Sequence, residues 1–434
     1  MPLFMRYLFV SSEGLHVDCA WRIQREGHEV RYHTQSAADA DIGDGFVPKV
    51  DAWRPHADWA DVIVFDDVLG QGEHAQALRA DGHAVIGGTP YTDRLEDDRS
   101  FGQDELRKAG VRTLPYKEFT SFDDAVAYVR ARPRRYVIKP SGEAQNIKRL
   151  LFVGQEEDGS DVVRVLEAYK RVWSETIKVF QLQDRVTGVE VAIGGFFNGS
   201  AFMQPLNVNF EHKKLLPGNV GPATGEMGTS MFWTGPNKLY RETLAKMAPR
   251  LASEGYVGYI DVNCIVNGQG IYPLEFTARF GYPTIQIMSD GLNEPLADLF
   301  RGMATGRESF RAKKGFQVGV RLVVPPYPFK DRETFESYSK DAAIVFKRPV
   351  GEGCPDGVHI HDVKRVRGEW LVTGAAGLAL VVTGHGATMR DAQKQAYARI
   401  KNVLIPNMYY RDDIGDRWAE DSDRLHSWGL LREA

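Results

Sequence analysis

The stretch Tyr259–Phe280, YIDVNCIVNGQGIYPLEFTARF, holds two apolar runs that flank the turn sequence NGQG. Strand-like runs on either side of a short glycine-containing turn predict an antiparallel β-hairpin. If the strands pair across this turn, Asn263 and Glu275 lie on neighbouring strands and face the same side. Oxygen ligands on rigid strands suit Mg²⁺, which takes one or two protein groups and fills its shell with water and phosphate oxygens. Arg279, four residues beyond Glu275, is within reach of phosphate as a bidentate donor.

Upstream of the hairpin, two further features carry positive charge. Lys139 ends the strand-like run YVIK, and the segment His212–Thr229, HKKLLPGNVGPATGEMGT, has a basic start followed by four glycines and two prolines. This composition excludes a helix or an interior strand and predicts a long, flexible loop. Taken singly, each feature also fits an ordinary exposed surface, so the hypothesis of a functional site depends on their occurring together in this order.

The composition of the chain limits its class. With 434 residues it is too long for one core, and 43% hydrophobic with 26% charged residues is ordinary for a globular protein. A net charge of −4 makes nucleic acid an improbable partner and gives no reason to expect an anionic membrane surface. Three distant cysteines form neither a disulfide framework nor a zinc spacing, and no run of eighteen apolar residues occurs. We therefore expect a cytoplasmic protein.

The order of the patterns predicts three regions of α/β and α+β structure. Apolar runs alternate with helical stretches in residues 1–96, which predicts an open parallel-sheet domain. Residues 97–313 contain helices, the Lys139 strand, three alternating strands, the glycine-rich loop, a long helix over 237–258 and the hairpin. Residues 314–434 are β-rich and end in a closing helix over 388–404.

Four separated motifs together resemble a known family. They are the loop HKK…GNVGPATGEMGT, PLEFTARFGYPTIQIM (273–288), DAQKQAYA (391–398) and YYRDDIGDR (409–417). In this order and over nearly the whole chain they resemble the glycinamide ribonucleotide synthetase (phosphoribosylamine–glycine ligase) family of the ATP-grasp superfamily. The resemblance implies an ATP-grasp fold, in which two α+β lobes clamp ATP and Mg²⁺, with Mn²⁺ as a possible substitute.

The resemblance also implies roles for individual residues. The implied nucleotide-binding residues are Arg99, Lys139, Lys148, Glu190 and a hinge at 179–183 that includes Phe180, Gln181 and Leu182. The implied metal ligands are Glu275 and, as a substitute ligand, Asn263. The implied catalytic residues are Arg279, Lys213 and His212, and the implied substrate-binding residues are Gly221, Pro222, Thr224, Gly225, Gly228 and Arg417.

The implied activity is that of an ADP-forming carboxylate–amine ligase that works through an acyl phosphate. The expected carboxylate is glycine or another small amino acid, and the expected acceptor is either phosphoribosylamine or a different nucleotide-like or nucleoside-like amine. Two departures from the family leave this open: Thr277 stands where the family has a metal-binding asparagine, and Leu378 stands where it has an arginine. A non-catalytic nucleotide-binding module is the alternative, and the sequence is compatible with a monomer or a homodimer.

Overall fold

The computed structural model describes residues 4–141, 144, 147–348 and 355–431. Its N-terminal elements are β1 (Arg6–Ser11), α1 (Val17–Arg25), β2 (Glu29–Thr34), β3 (Val62–Phe65), α2 (Gln71–Ala80), β4 (Val85–Ile86) and α3 (Pro90–Asp97). The four strands form one parallel sheet in the order β2–β1–β3–β4. The predicted open parallel sheet is confirmed. Its loops after β1 and β3 therefore lie at the carboxyl edge, where ligands of such sheets bind.

A second, antiparallel sheet forms a separate small lobe. The elements that follow α3 are α4 (Arg99–Lys108), β5 (Tyr116–Phe119), α5 (Phe122–Ala131), β6 (Tyr136–Pro140), β7 (Phe152–Val153), α6 (Ser160–Val172) and β8 (Phe180–Asp184). The strand order is β5–β8–β6–β7. We use the name small lobe for residues 116–184. The lobe has its own core, in which the ring of Phe180 stacks on those of Phe119 and Phe122.

The rest of the chain is built on a large antiparallel sheet. Its first part contains β9 (Val189–Asn198), β10 (Leu206–Glu211), β11 (Lys214–Leu216), β12 (Val220–Ala223), β13 (Gly228–Thr234), α7 (Lys238–Glu242), α8 (Leu244–Ser253), β14 (Val257–Asn267), β15 (Gly270–Thr277), α9 (Thr284–Asp290) and α10 (Leu296–Ala304). The C-terminal part contains β16 (Phe316–Val323), α11 (Arg332–Tyr338), β17 (Ala343–Phe346), β18 (Val358–Ile360), β19 (Val363–Val366), β20 (Glu369–Val372), β21 (Leu378–Gly386), α12 (Met389–Ile400), β22 (Val403–Leu404) and α13 (Trp418–Ser427).

Eight strands form this large sheet, in the order β15–β14–β9–β10–β13–β16–β21–β18. It runs across the predicted boundary at residue 313, because β13 pairs with β16 from Gly228↔Val320 to Phe232↔Phe316. The C-terminal part therefore shares a hydrogen-bonded sheet with the region before it. The predicted closing helix is α12, and the chain continues into a further helix, α13.

The structure corrects two predicted elements. The single long helix expected over 237–258 is two helices, because Thr243 adopts φ −126° and ψ −95° between α7 and α8. The glycine-rich segment is not a featureless loop, since β11 and β12 pair as a small antiparallel hairpin. Gly221, with φ +83°, supplies a backbone conformation in this hairpin that other residues adopt only with strain. Among the described residues, no helix has the length and apolar character needed to cross a membrane.

Candidate active site

The predicted hairpin is formed by β14 and β15, and it brings the two predicted metal ligands together. Asn263 lies directly opposite Glu275 in the strand register. The amide nitrogen Nδ2 of Asn263 donates to Oε2 of Glu211 at 3.1 Å. Its Oδ1 is buried and has no hydrogen-bond partner among the described residues. An acceptor oxygen left free beside a carboxylate is what a bound cation requires.

Lys213 is the centre of an ion-pair cluster beside this pair. Its Nζ lies 3.1 Å from Glu190, 3.3 Å from Glu211 and 3.2 Å from Glu275. The pKa of Glu275 is lowered to about 2, chiefly by Lys213 and also by Arg99 and Lys139. Burial tends to lower the pKa of Lys213, but the three carboxylates outweigh it and the pKa is raised. The ammonium therefore stays charged among three acidic groups.

Lys139 of the small lobe and Arg99 at the start of α4 contribute the other positive charges. Lys139 is opposite Gln181 in the pairing of β6 with β8, and the side-chain amide of Gln181 donates to Ser100 Oγ at 2.7 Å. The pKa of Lys139 is lowered to about 8, first by burial and then by Arg99, while Glu275 acts to raise it. Lys139, Arg99 and Glu275 thus influence one another across the space between the small lobe and the large sheet.

Two cavities, of about 390 and about 440 Å³, lie on either side of Glu275 and Arg279. Both are lined by Glu96, Glu275, Phe276 and Arg279. Arg99 lines the smaller cavity and Lys213 the larger one. The guanidinium of Arg279 pairs with Glu96 at 3.0 Å, and its Nε is buried with no partner among the described residues. A donor of this kind at a shared cavity wall suits a phosphate oxygen.

The residues present fit Mg²⁺ held largely by nucleotide phosphates. No group of three or more His, Cys, Asp or Glu side chains with metal-binding geometry occurs among the described residues. Mg²⁺ does not require one, because it binds through one or two protein oxygens in phosphate-transfer sites. Glu275 and the free Oδ1 of Asn263 supply such oxygens. Thr277 lines the same larger cavity two residues beyond Glu275, but its side chain hydrogen-bonds to the carboxyl of Asp261, which lies opposite it in the register.

The structure does not bring every predicted catalytic or substrate residue to this cleft. His212 is buried, and its pKa is lowered to about 3 by burial and by Arg417 and Arg411, whereas its neighbours Glu211 and Lys213 line the larger cavity. Arg417 donates to the backbone carbonyls of Glu190 and Glu211 and pairs with Asp421. The placement of His212 and Arg417 favours a structural role for both.

The predicted substrate residues of the glycine-rich segment are also dispersed. Gly225 lines the larger cavity, and Thr224 donates Oγ1 to the carbonyl of Lys213 at 2.8 Å. Gly221 and Pro222 lie on the β11–β12 hairpin, where Gly221 is exposed. Gly228 is buried where an added Cβ would approach the carbonyl oxygen of Gly319 to 2.6 Å. The absence of a side chain at this position is therefore required for packing rather than for ligand contact.

The predicted hinge lies a few residues too early in the chain. Strand β8 contains Phe180, Gln181 and Leu182 and pairs with both β5 and β6, so its backbone groups are already engaged. The connection between the two sheets is 185–188, between the end of β8 and the start of β9, and the amide of Arg185 donates there to the carbonyl of Arg135. Phe180 and Leu182 belong to the core of the small lobe. The side chain of Lys148 lies outside the described part of the chain.

Several cleft residues were missed by the sequence interpretation. Glu211 had a signal, because it lies two residues before Lys213 at the end of a strand and therefore on the same face. Asp261 had the same signal, because it lies two residues before Asn263 on β14. The others come from distant elements without a characteristic spacing: Glu13, Asp67, Glu96, Arg321 and His361. Glu226 also lines the cavity, and the pKa values of Glu226 and Asp261 are raised by burial and by Glu211, to about 8 for Asp261.

Comparisons with known proteins agree with this geometry. The ATP-grasp (A) domain of phosphoribosylglycinamide synthetase matches residues 97–285. Phosphoribosylamine–glycine ligase from Neisseria meningitidis serogroup B is 24% identical over 437 residues, which cover 95% of this chain and 99% of that protein. The ligase of the same name from Streptomyces coelicolor is 26% identical over 356 residues, which cover 80% of this chain and 81% of that protein.

The fold agrees as well. The solved structure of phosphoribosylamine–glycine ligase from Thermotoga maritima superimposes with a TM-score of 0.70 at 21% identity, covering 94% of this chain and 100% of that one. The resemblance inferred from the four motifs is confirmed. The chain therefore has the ATP-grasp fold, and its residues 97–285 match the ATP-grasp (A) domain of phosphoribosylglycinamide synthetase.

Proposed function

We propose that this chain is an ATP-dependent, ADP-forming ligase that joins a small carboxylate, glycine or another small amino acid, to an amine. The observation that carries the proposal is that Lys213, Glu275 and Arg279 line one cavity, with Lys139 of the small lobe close enough to lower the pKa of Glu275. These residues supply three cations and a carboxylate. Phosphoryl transfer depends on such charge neutralisation and positioning rather than on a protein nucleophile.

In this proposal the nucleotide lies between the small lobe and β15. Lys139 and Arg99 neutralise its phosphates, and the connection 185–188 is the backbone segment nearest to its base. Glu275 and Asn263 hold Mg²⁺, which when bound neutralises charge on the phosphate oxygens. Arg279 is placed to reach the transferred phosphoryl group from the wall that both cavities share.

The reaction has two steps that use no covalent enzyme intermediate. An oxygen of the substrate carboxylate attacks the γ-phosphorus of ATP, and ADP leaves. The nitrogen of the amine then attacks the carbonyl carbon of the acyl phosphate, the carbon–oxygen bond to phosphate breaks, and the amine loses a proton. Because an acyl phosphate hydrolyses in water, the β11–β12 hairpin beside Lys213 is placed to help exclude solvent.

The alternative, a module that binds nucleotide without turning it over, predicts a different outcome. A ligase releases ADP when carboxylate and acceptor are both supplied, whereas a binding module releases none. The ion-pair cluster at Lys213 favours the ligase. Nucleotide binding by the small lobe does not require a charged lysine among three carboxylates.

Glu275→Gln tests the proposal. It removes a charge at nearly constant volume, so we expect ADP formation to fall by roughly a hundredfold or more. Nucleotide should still raise the melting temperature, since Lys139 and Arg99 are intact. The matched control is Glu242→Gln, at an exposed carboxylate 3.9 Å from Lys238. Unchanged ADP formation in Glu275→Gln would exclude the proposed role.

A further inference from the structure

The larger cavity has a second end, away from the small lobe. The residues that line this end indicate which class of amine is the acceptor. Its walls come from the loops after β1 and β3 and from the C-terminal part of the chain. The residues that line this end are Glu13, Leu15, Asp67, Glu226, Tyr282, Arg321, His361 and Leu378. They lie on the same cavity as Lys213 and Glu275, so a ligand here would reach the reaction centre.

The backbone amides of the loop after β1 are already occupied. In open α/β sheets such a loop commonly binds phosphate through free N–H groups at a helix N-terminus. Here the hydroxyl of Ser11 accepts from the amides of Gly14 at 2.8 Å and Leu15 at 3.0 Å. The amide of Ser12 donates to Asp66 Oδ1 at 2.9 Å. These three donors are satisfied within the protein.

The loop after β3 is occupied in the same way. The amides of Asp66 and Asp67 both donate to Oε1 of Gln71, at 3.0 and 2.8 Å. The amide of Gly72 donates to Asp93 at 2.9 Å. Both loops at the carboxyl edge therefore direct these N–H donors into the protein, which leaves few backbone donors for a phosphate group.

The charges at this end are mainly negative. Asp67 accepts a hydrogen bond from Ser12 Oγ at 2.8 Å and is half-buried, and Glu13 is paired at 3.2 Å with Lys330, whose side chain is 68% exposed. Two guanidinium groups also line the cavity, and both are engaged: Arg321 donates to the carbonyl of Tyr282, and Arg279 pairs with Glu96. A phosphate dianion beside Glu13 and Asp67 would therefore face two carboxylates.

Two buried atoms on the same wall point to a ligand that donates hydrogen bonds. Oε1 of Glu226 and Nε2 of His361 have no partner among the described residues, and both side chains are more than nine-tenths buried. His361 Nδ1 lies 2.7 Å from the Asp362 carboxylate, so in the neutral ring Nδ1 carries the proton and Nε2 is an acceptor. Nε2 of that ring therefore accepts, and Oε1 of Glu226 is a second free oxygen on the same wall.

We propose that this end of the cavity binds an amine that carries N–H and O–H donors and no phosphate group. Glu13 and Asp67 attract its positive charge, and Glu226 and His361 accept its hydrogen bonds. The inference rests on the proposed ligase function and names the class of its acceptor. It assigns the acceptor to unphosphorylated amines such as glycosylamines or aminated nucleosides, rather than to their phosphate esters.

The first experiment separates the two halves of the reaction. Hydroxylamine traps an acyl phosphate as a hydroxamate, so ATP, glycine or another amino acid, and hydroxylamine test the ligase function without the natural acceptor. Ribosylamine and phosphoribosylamine, formed in solution from ammonia and ribose or ribose 5-phosphate, are then compared as acceptors by ADP release. We expect the unphosphorylated member to have a kcat/KM at least about tenfold higher.

The outcomes are distinct. Hydroxamate formation with equal use of both amines, or with preference for the phosphorylated one, would overturn the inference and leave the ligase function standing. Absence of hydroxamate with every amino acid would overturn both.

A second experiment tests the residues. Asp67→Asn and Glu13→Gln should raise the KM for the unphosphorylated amine about tenfold, and more than they raise the KM for the carboxylate. Asp58→Asn, at a carboxylate that is 98% exposed, is the matched control. Equal KM values for the amine in the parent and in both cleft variants would contradict the assignment.

Discussion

Lys213 is the residue on which the charge balance of the cleft depends most. Its ammonium lies within 3.3 Å of a carboxylate oxygen of each of Glu190, Glu211 and Glu275, and its side chain is only 31% exposed. Without it three carboxylates would face one another in a partly buried space, which is unfavourable unless a metal ion or protons neutralise them. The lysine therefore has a stabilising role in addition to the proposed catalytic one.

Lys213→Met tests this balance through pH. Because the folded pKa of Glu275 is lowered to about 2, its ionised form contributes stability above its unfolded pKa near 4.5, and this stability is lost as the pH falls towards 2. The variant loses that contribution. We expect it to be less stable than the parent by on the order of 1–3 kcal/mol at pH 7, with the difference shrinking towards pH 3.

The measurement is chemical denaturation between pH 3 and pH 7. Addition of Mg²⁺ should recover part of the loss, because the three carboxylates then have no lysine to compete with the metal. Lys178→Met, at an exposed lysine 2.9 Å from Glu175, is the control. A stability difference that does not change with pH would show that Lys213 acts through packing alone.

At the scale of elements, the β11–β12 hairpin depends on a single anchor. Arg411 is buried and donates to the carbonyl of Lys214 at 2.9 Å and to Oδ1 of Asn219 at 3.0 Å. Asp413 pairs with Arg411 and accepts from the amide of Gly218 at 2.9 Å. The hairpin that begins beside Lys213 is thus held to the C-terminal part of the chain through its turn.

Asn219→Ala should loosen this hairpin. Asn219 adopts φ +58°, so alanine loses the contact with Arg411 and is also strained, whereas Asn219→Gly loses only the contact. We expect limited proteolysis within residues 214–223 to be fastest in the alanine variant and intermediate in the glycine variant. The free energy of unfolding should fall by about 1 kcal/mol or less in the glycine variant. Equal cleavage of all three proteins would contradict the anchor.

The same element shows what the sequence predicted and what it did not. The sequence placed Asn263 and Glu275 on neighbouring strands, but their direct pairing depends on a register shift between Asn263 and Cys264, since the pairing that starts at the turn would put Leu274 opposite Asn263. Glycine and proline content correctly excluded a helix at 214–223 but gave no sign of Arg411, which lies almost 200 residues away in the chain. The hinge was placed too early because residues 179–183 read as a strand and a linker equally well, and only pairing with β5 and β6 decides between them.

At the scale of the whole molecule, the chain divides into unequal parts. The small lobe has its own sheet and its own core, whereas the predicted regions 97–313 and 314–434 share the eight-stranded sheet. The ATP-grasp fold was predictable because its motifs lie in order along the chain. The shared sheet was not, because the pairing of β13 with β16 joins segments more than 80 residues apart, and neither strand carries a local signal for its partner.

Phe180→Ala tests whether the small lobe unfolds separately. Phe180 is fully buried and its ring centroid lies 4.8 Å from that of Phe122, so the truncation should cost about 3–5 kcal/mol. In calorimetry we expect an additional transition at lower temperature while the main transition stays in place. Phe210→Ala, in the core of the large sheet, should instead shift the main transition. A single transition that moves as a whole in Phe180→Ala would show that the lobe is not independent.

The continuous sheet also determines which distances in the cleft can change. Glu275 lies on β15 at one edge of the sheet, and Leu378 begins β21, six strands further along the same sheet. The place where phosphate is transferred and the place where the acceptor enters are therefore held at a fixed spacing by interstrand hydrogen bonds. A related protein with this sheet can therefore change its amine acceptor through substitutions near Leu378. The residues around Glu275, where phosphate is transferred, then stay unchanged.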